Sequence, residues 1–464
     1  MAGVIEALRE ALGDDAVLTG ADVAGRAAGI WRRDGVRAKA IVRPRNTEEV
    51  SRAAAICHRH DQTIVAHGGL TGLVGSALTQ PDDVVISLER LNRIESVNAI
   101  DRTMVVQTGV VLQTLQETAD ANGLLFPLDL GGRGSATIGG NISTNAGGNR
   151  VIRYGMTRDM VLGLEVVLAD GTVVSSMNQM IKNNAGYDLK HLFIGSEGSL
   201  GIVTRAVLRL REKPRSQETV FVGIETFGKL SEFLKTMDSA LGGTLSAFEV
   251  MWQDYYRLLT EPPAVHQPPI PRDYPYYVLV EAMGGDPEKD HERLETALAD
   301  AYEKGLIADA AIAQNQAQRE QMWAMRDDVV QTFRYSPGFT FDVSMRISTM
   351  ENYVAEVNRG LSARYPEYKH FTFGHMGDGN LHLVIWVGKD GHAEREHVEE
   401  IVYRPLAAIG GSVSAEHGVG LEKKPYLHLC RSPEELSLMR TVKRALDPKG
   451  LLNRGKIFDV AGGA

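Results

Sequence analysis

Glycine is bunched in this chain rather than spread along it. His67–Gly75 reads HGGLTGLVG, Gly131–Gly148 reads GGRGSATIGGNISTNAGG, and Gly195–Gly201 reads GSEGSLG. Glycine collects where backbone turns sharply or comes close to a ligand. Backbone N–H groups exposed in such loops can cradle phosphate. One cluster alone reads as an ordinary turn. Three long clusters in one region, with few cations inside them, point to a nucleotide held by main chain. The Rossmann fingerprint is missing, because Thr137 stands where a third glycine should follow Gly132 and Gly134. The Walker pattern is missing too, so neither NAD nor P-loop chemistry is indicated.

The surroundings of the clusters read as α+β. Asn46 followed by Glu49 predicts a capped helix through Val50–His60. Thr63–Ala66 reads as a short buried strand running into glycine. Val161–Ala169 and Thr172–Ser175 flank Asp170-Gly171, the pair expected of a two-residue hairpin turn. Beyond Lys213-Pro214 glycine thins out, and helical patterns alternate with strands such as Tyr277–Val280 and Phe339–Met345. Pro262, Pro263, Pro268, Pro269, Pro271 and Pro275 require an extended surface connection. A helix is expected over Glu434–Leu446. The expected division is 1–213, 214–425 and a C-terminal segment, 426–464.

Composition removes several functions. Lys plus Arg is 50 against 59 for Asp plus Glu, a net charge of −9. That disfavours nucleic acid, which needs a positive surface. The two cysteines, Cys57 and Cys430, are too few for a disulfide scaffold, a thiolate zinc cluster or an iron–sulfur centre. They fit a reducing compartment, and the cytoplasm is the expected location. The opening MAGVIEALREALGDDA is amphipathic and acidic, unlike a signal or transit peptide. No apolar run is long enough to span a membrane.

Three stretches carry a resemblance: PLDLGGRGSATIGGNISTNAGG, RYGMTRDMVLGLEVVLADGTVV and NNAGYDLKHLFIGSEGSLGIVTR. They resemble the FAD domain of the vanillyl-alcohol-oxidase flavoproteins and, within that superfamily, the D-2-hydroxyacid dehydrogenases. The likeness runs from about Arg43 to Phe458. It implies a two-subdomain FAD-binding domain and an α+β substrate (cap) domain with an antiparallel sheet. It implies FAD, with His67, Gly68, Gly69, Leu70, Thr71 and Gly72 and the Gly139–Gly148 stretch at the pyrophosphate. Some members of the family tether FAD through His or Cys, which makes His67 the alternative, but a pre-formed backbone nest needs no covalent bond, and non-covalent FAD is expected. In that second stretch Gly139, Gly140, Asn141, Thr144, Asn145 and Gly147 are the candidates. Pro127, Gly134, Ser135 and Tyr154 are further cofactor candidates. Glu197, Gly198 and Ile202 are expected near the adenosine half, and Asn453 on a segment that returns to the flavin.

The second half holds FGHMGDGNLHL, Phe373–Leu383. Asp378-Gly379 is a favoured two-residue turn, which would set His375 opposite His382 on one sheet face. SVSAEHGVG adds Glu416 and His417. Two histidines and a carboxylate form a common open metal set. The resemblance implies His375, His382 and Glu416 as ligands of a divalent metal, zinc first, with manganese or cobalt as alternatives. It implies His417 as general base and Arg326 as carboxylate-binding group. Val330, Thr340 and Val384 align with residues that hold a distal carboxylate in hydroxyglutarate enzymes, yet two are apolar and one is neutral. Arg346 is the alternative cation. Two substrates stay open: D-2-hydroxyglutarate, and a D-lactate-like acid with a small or apolar side chain. The expected electron acceptor is a quinone or an electron-transfer flavoprotein, and the expected assembly is a homodimer. An oxygen-using flavin oxidase, a non-catalytic FAD subunit and, more remotely, a non-flavin metallohydrolase are the readings from other classes.

Overall fold

A computed structural model describes residues 3–30, 32, 34–389 and 391–460. The first two residues of the N-terminal helix pattern lie outside them. The chain forms two units. The first joins 1–147, 155–213 and 416–464, and the second joins 148–154 and 214–415. The return to the first unit thus comes at Glu416, earlier than the expected 425/426 division, and a short piece, Gly148–Tyr154, belongs to the second unit.

Within the first unit, a four-stranded sheet runs in the order Val17–Leu18, Ala40–Val42, Val84–Ser87, Ile64–His67. Its last three strands are parallel. The helix Thr47–Arg59 packs against it, and Asn46 accepts the Glu49 amide at 2.8 Å as the cap predicts. Glu49 reciprocates one residue early, accepting from the Arg45 amide at 2.8 Å. A second, antiparallel sheet has five strands: Ile94–Asn98, Thr103–Gln107, Ile202–Arg209, Val161–Val167, Val173–Ser176. The Val161 hairpin is present, but its turn is longer than the expected two residues. Leu168 closes the hairpin by donating its amide to the Thr172 carbonyl at 2.9 Å, leaving Ala169, Asp170 and Gly171 between them, and Gly171 takes φ +92°. This is the three-residue connection that closes on a left-handed glycine. The C-terminal helix, Pro433–Leu446, starts at Ser432 in a capping box with Glu435.

The second unit is built on one antiparallel seven-stranded sheet. Its order is Asp309–Ile312, Ser216–Ile224, Tyr276–Gly284, Leu245–Trp252, Lys369–His375, Asn380–Trp386, Phe339–Ser344. Opposed residues and their i±2 neighbours share a face. One part of that face is apolar: Phe221, Met251, Tyr277, Leu279, Phe371, Phe373 and Val384 pack with Tyr255, Tyr256, Met322 and Met325. The polar part of the same face carries Glu281, Glu249, His375, His382 and Asp342. Acidic side chains in otherwise apolar strands would face a large desolvation cost unless each is paired. Each is paired: Glu281 takes Arg150 Nε at 3.0 Å, Gln217 Nε2 at 2.6 Å and Ser246 Oγ at 2.8 Å. Asp342 takes Asn380 Nδ2 at 2.7 Å and the Ala415 amide at 3.2 Å.

Candidate active site

His375 ends one strand and His382 lies in the next, but they are not directly opposed. His382 faces Phe373, and a 3-10 turn over Met376–Asp378 replaces the expected two-residue turn. The shift is an even one, so both imidazoles stay on one face as diagonal neighbours. Their Nε2 atoms stand 3.4 Å apart. The turn is tight: a Cβ on Gly377 would lie 2.5 Å from Ile152 Cδ1.

Directly opposite His375 on the neighbouring strand is Glu249, a residue that the sequence reading missed. Its Oε1 sits 2.8 Å from His375 Nδ1, and its Oε2 is 2.5 Å from Arg326 Nη2. Glu249 is 1% exposed and Arg326 6%, so this charge pair is dry. Burial pushes the Glu249 carboxyl up, but Arg326 and His375 outweigh it and hold it below the usual range. A carboxylate on Nδ1 assigns the proton to that nitrogen and leaves Nε2 as a lone pair directed at His382. The signal for Glu249 was available, since it is the one charged residue in the strand LSAFEVMW.

His375, His382 and Glu416 each offer one ligand atom, all within 4.8 Å of one another. Glu416 follows Ala415, whose amide Asp342 holds. Two imidazole nitrogens and a carboxylate, backed by Glu249, fit a divalent cation. His417 is half-buried. The loop after it is fixed from within its own unit: the Glu197 carboxylate accepts the Val419 amide at 2.7 Å, the Gly420 amide at 2.9 Å and the Ser76 hydroxyl. Successive N–H groups between left-handed glycines make an anion nest, and here the anion is the protein's own Glu197. The Glu197 carboxylate is therefore spent on the loop. Ile202 likewise gives its side chain to the core, where it is 1% exposed.

The remaining cofactor candidates lie in the first unit, apart from Tyr154: Gly139, Gly140, Asn141 and Thr144 on the short helix Ile138–Thr144, His67 at the end of its strand, and the others in loops. Tyr154 belongs to the second unit's short segment and lies under the Arg153 guanidinium. Gly69 N–H donates to Thr137 Oγ1 at 3.1 Å, and any Cβ on Gly69 would run into the Ser135 carbonyl. The first two glycine clusters thus need glycine in order to meet. His67 is buried with its Nε2 2.9 Å from the Ala77 carbonyl, and burial pushes its pKa down to about 4. It is a neutral donor to loop backbone. Leu70, Asn145, Glu197 and Asn453 all hold positive φ, the kind of strain that collects at ligand sites. Asn141 Oδ1 is buried without a hydrogen-bond partner among the described residues, an acceptor with no protein donor in a glycine cradle. That fits an N–H or hydroxyl donor of a bound dinucleotide rather than its phosphates. Thr144 bonds back to the Gly140 carbonyl at 3.1 Å, and Asn145 accepts the Arg158 amide. Pro127 and Gly147 are buried, Gly134 and Ser135 exposed, Gly72 open. The Asn453 side chain accepts the Ala66 amide at 3.0 Å and donates to the Glu197 carbonyl, tying the end of the Ile64–His67 strand to the Glu197 loop beside Gly198.

The specificity candidates divide. Thr340 and Val384 are directly opposed, with Val384 6% exposed in the apolar cluster and Thr340 exposed. Val330 lies on a 3-10 turn and is 53% exposed. Arg346 does not join them. Its strand ends at Ser344, and its exposed guanidinium reaches the Ile409 carbonyl at 3.5 Å. Arg346 is thus an exposed cap on a helix C-terminus rather than the alternative cation.

Residues 38–176 match an FAD binding domain, and residues 213–457 match the C-terminal domain of FAD linked oxidases. The chain belongs to the FAD-dependent D-2-hydroxyacid dehydrogenases. D-2-hydroxyglutarate dehydrogenase of Xanthomonas citri pv. viticola is 40% identical over 90% of this chain and 89% of that protein. The one from Stutzerimonas stutzeri is 35% identical over 98% of both, and the mitochondrial one of Bos taurus is 38% identical over 90% and 77%. Solved structures agree on the vanillyl-alcohol-oxidase fold. p-Cresol methylhydroxylase superposes with TM-score 0.78 at 17% identity, covering 99% of this chain and 97% of that one. Alkyldihydroxyacetonephosphate synthase superposes at 0.75 and 17%, covering 97% and 85%. Cys57 and Cys430 are both free thiols. No described helix is long and apolar enough to cross a membrane.

Proposed function

We propose that this chain oxidises a D-2-hydroxy acid to the 2-oxo acid by hydride transfer to FAD, with a divalent metal held by His375, His382 and Glu416. The observation that carries the metal reading is the Glu249–His375–His382 geometry, with two ring nitrogens converging 3.4 Å apart on one face. Bound there, a divalent cation would lower the pKa of a coordinated hydroxyl. FAD would accept the hydride from Cα. The protein's own groups do the rest. Glu249 keeps His375 in the ligating tautomer and holds Arg326 in place. Arg326, whose buried Nε has no acceptor among the described residues, is the cation for the substrate carboxylate. Next to the metal-binding Glu416, His417 takes the hydroxyl proton, as a neutral imidazole can near neutral pH.

The relatives' names favour D-2-hydroxyglutarate. A second reading rests on Val384 and Thr340, which offer a distal carboxylate no charge, while Arg346 is engaged at Ile409. An unpaired carboxylate is costly to bury, so a D-lactate-like acid is the alternative. The test is a panel of D- and L-2-hydroxy acids with a dye acceptor, before and after chelation. D-specific turnover, lost on chelation while the flavin absorbance stays, supports the reading. Full turnover in the metal-free protein overturns the metal's role, and preference for lactate favours the second substrate.

A further inference from the structure

Lys456 lies in LLNRGKIF near the C-terminal end of the first unit and is 6% exposed. Its Nζ makes one hydrogen bond, 2.6 Å to the Leu78 carbonyl. An ammonium has three N–H donors. No carboxylate lies within ion-pair distance of it among the described residues. The two acids that act on it from farther away are already occupied. Asp83 accepts the Thr63 hydroxyl at 2.6 Å and the Gln80 amide at 2.7 Å. Glu197 is filled by Ser76, Val419 and Gly420. Burial pushes the lysine down to about 8. The same unit holds a contrasting case. Lys443 is also buried, but its ammonium is fully spent on Asp447 Oδ2 at 2.5 Å and the Ser199 and Leu452 carbonyls at 2.6 and 2.9 Å.

A buried, largely unspent cation marks a place where an anion belongs. Its surroundings name the anion. The Leu78 carbonyl follows Ala77, which takes the His67 proton, at the far end of the loop that opens with the first glycine cluster. The next residue, Ile457, donates its amide to Gly420 at 2.9 Å, in the loop that follows His417. His67 faces the same loop but is neutral, so it brings no charge. The glycine clusters contribute little cation of their own, since Arg133 is paired with Asp129.

We infer that Lys456 is a cofactor-binding residue, whose ammonium stands beside the bound FAD and neutralises negative charge on it. That charge has two sources on one molecule: the diphosphate, which is always anionic, and the pyrimidine edge of the flavin ring, which gains charge when the ring takes up a hydride. The inference rests on FAD binding and not on the identity of the hydroxy acid.

The test uses holoenzyme of the parent, Lys456→Met, Lys456→Gln and Lys456→Arg. FAD release on dilution is read by flavin fluorescence, and the flavin midpoint potential by dye equilibration. Truncating one member of a buried charge pair weakens binding by about thirtyfold or more. FAD should therefore dissociate at least that much more readily from the Met variant, and also from the Gln variant, which keeps a donor for Leu78 without the charge. Arg should restore retention to within a few-fold. An unchanged potential assigns the diphosphate. A tenfold loss of preference for reduced over oxidised FAD, about 30 mV for a two-electron couple, assigns the ring. Retention within twofold of the parent and a potential within about 10 mV of it in the Gln variant would overturn the inference. So would an Arg variant that loses FAD as readily as Met.

Discussion

Glu249 shows how one side chain can set the state of its neighbours. It lies between His375 and Arg326, 1% exposed, and each of its oxygens serves one of them. Removing it frees the His375 ring and leaves a buried guanidinium without that partner. Loss of a carboxylate behind a metal-ligating histidine typically weakens metal binding by roughly 10- to 100-fold. Glu249→Ala should show that loss in competition against a chromophoric chelator. Glu249→Gln should lose less, because its amide oxygen still accepts from Nδ1. Parent-like metal affinity in Glu249→Ala would remove Glu249 from the site. The residue was within reach of sequence reasoning, because Glu249, Glu281 and Asp342 are single acids in strands otherwise rich in apolar residues. What could not be read was the partner of each, since cross-strand neighbours depend on register.

At the scale of the element, the 418–420 loop illustrates the same limit. EHGVG reads as one more glycine turn, yet its glycines answer different demands. Gly418 has φ +83°, and a Cβ there would lie 2.8 Å from Glu197 Oε1. Gly410 is also left-handed, at φ +65°, but nothing lies within 4 Å of it. Alanine at Gly410 therefore costs only the backbone strain, about 1–2 kcal/mol. Gly418→Ala adds the displacement of a buried carboxylate from two amides. The expected outcome is a drop in kcat of about tenfold or more for Gly418→Ala, since groups held about 1 Å off position lose rate steeply. FAD content should stay at the parent level, and Gly410→Ala should lose stability alone. Equal kcat in both variants would show that the Glu197 nest does not position His417. The hairpins carry a related lesson. Asp170-Gly171 and Asp378-Gly379 both lie in turns, as the dipeptides predict, but each turn is longer than two residues.

For the molecule as a whole, two buried histidines set an acid limb of stability. Burial holds His67 and His370 down to about 4 each. In the unfolded chain a histidine titrates near 6.5. Between those values the unfolded state binds the extra protons, so stability is fully present above about pH 6.5 and falls as pH drops towards 4. Each such shift corresponds to roughly 3 kcal/mol. His370, held by Asn358 and Thr372 away from the candidate ligands, allows a clean test. Urea midpoints at pH 7 and pH 5 should lie closer together in His370→Gln than in the parent. An unchanged gap would mean that other groups govern the acid limb.

Local chemistry is what the sequence determined alone. Caps, strand patterns, glycine-rich loops and the residue types of a two-histidine, one-carboxylate set are all written in short stretches, because each depends on neighbours a few positions away. So were the α+β class and the change of character at Lys213-Pro214. Only the tertiary structure decided which charges meet. It set Glu249 against His375, turned Arg346 towards Ile409, closed a nest on Glu197 and brought Lys456 to the Leu78 carbonyl. Those contacts join residues far apart in the chain. They depend on strand register and loop packing, which no local pattern encodes.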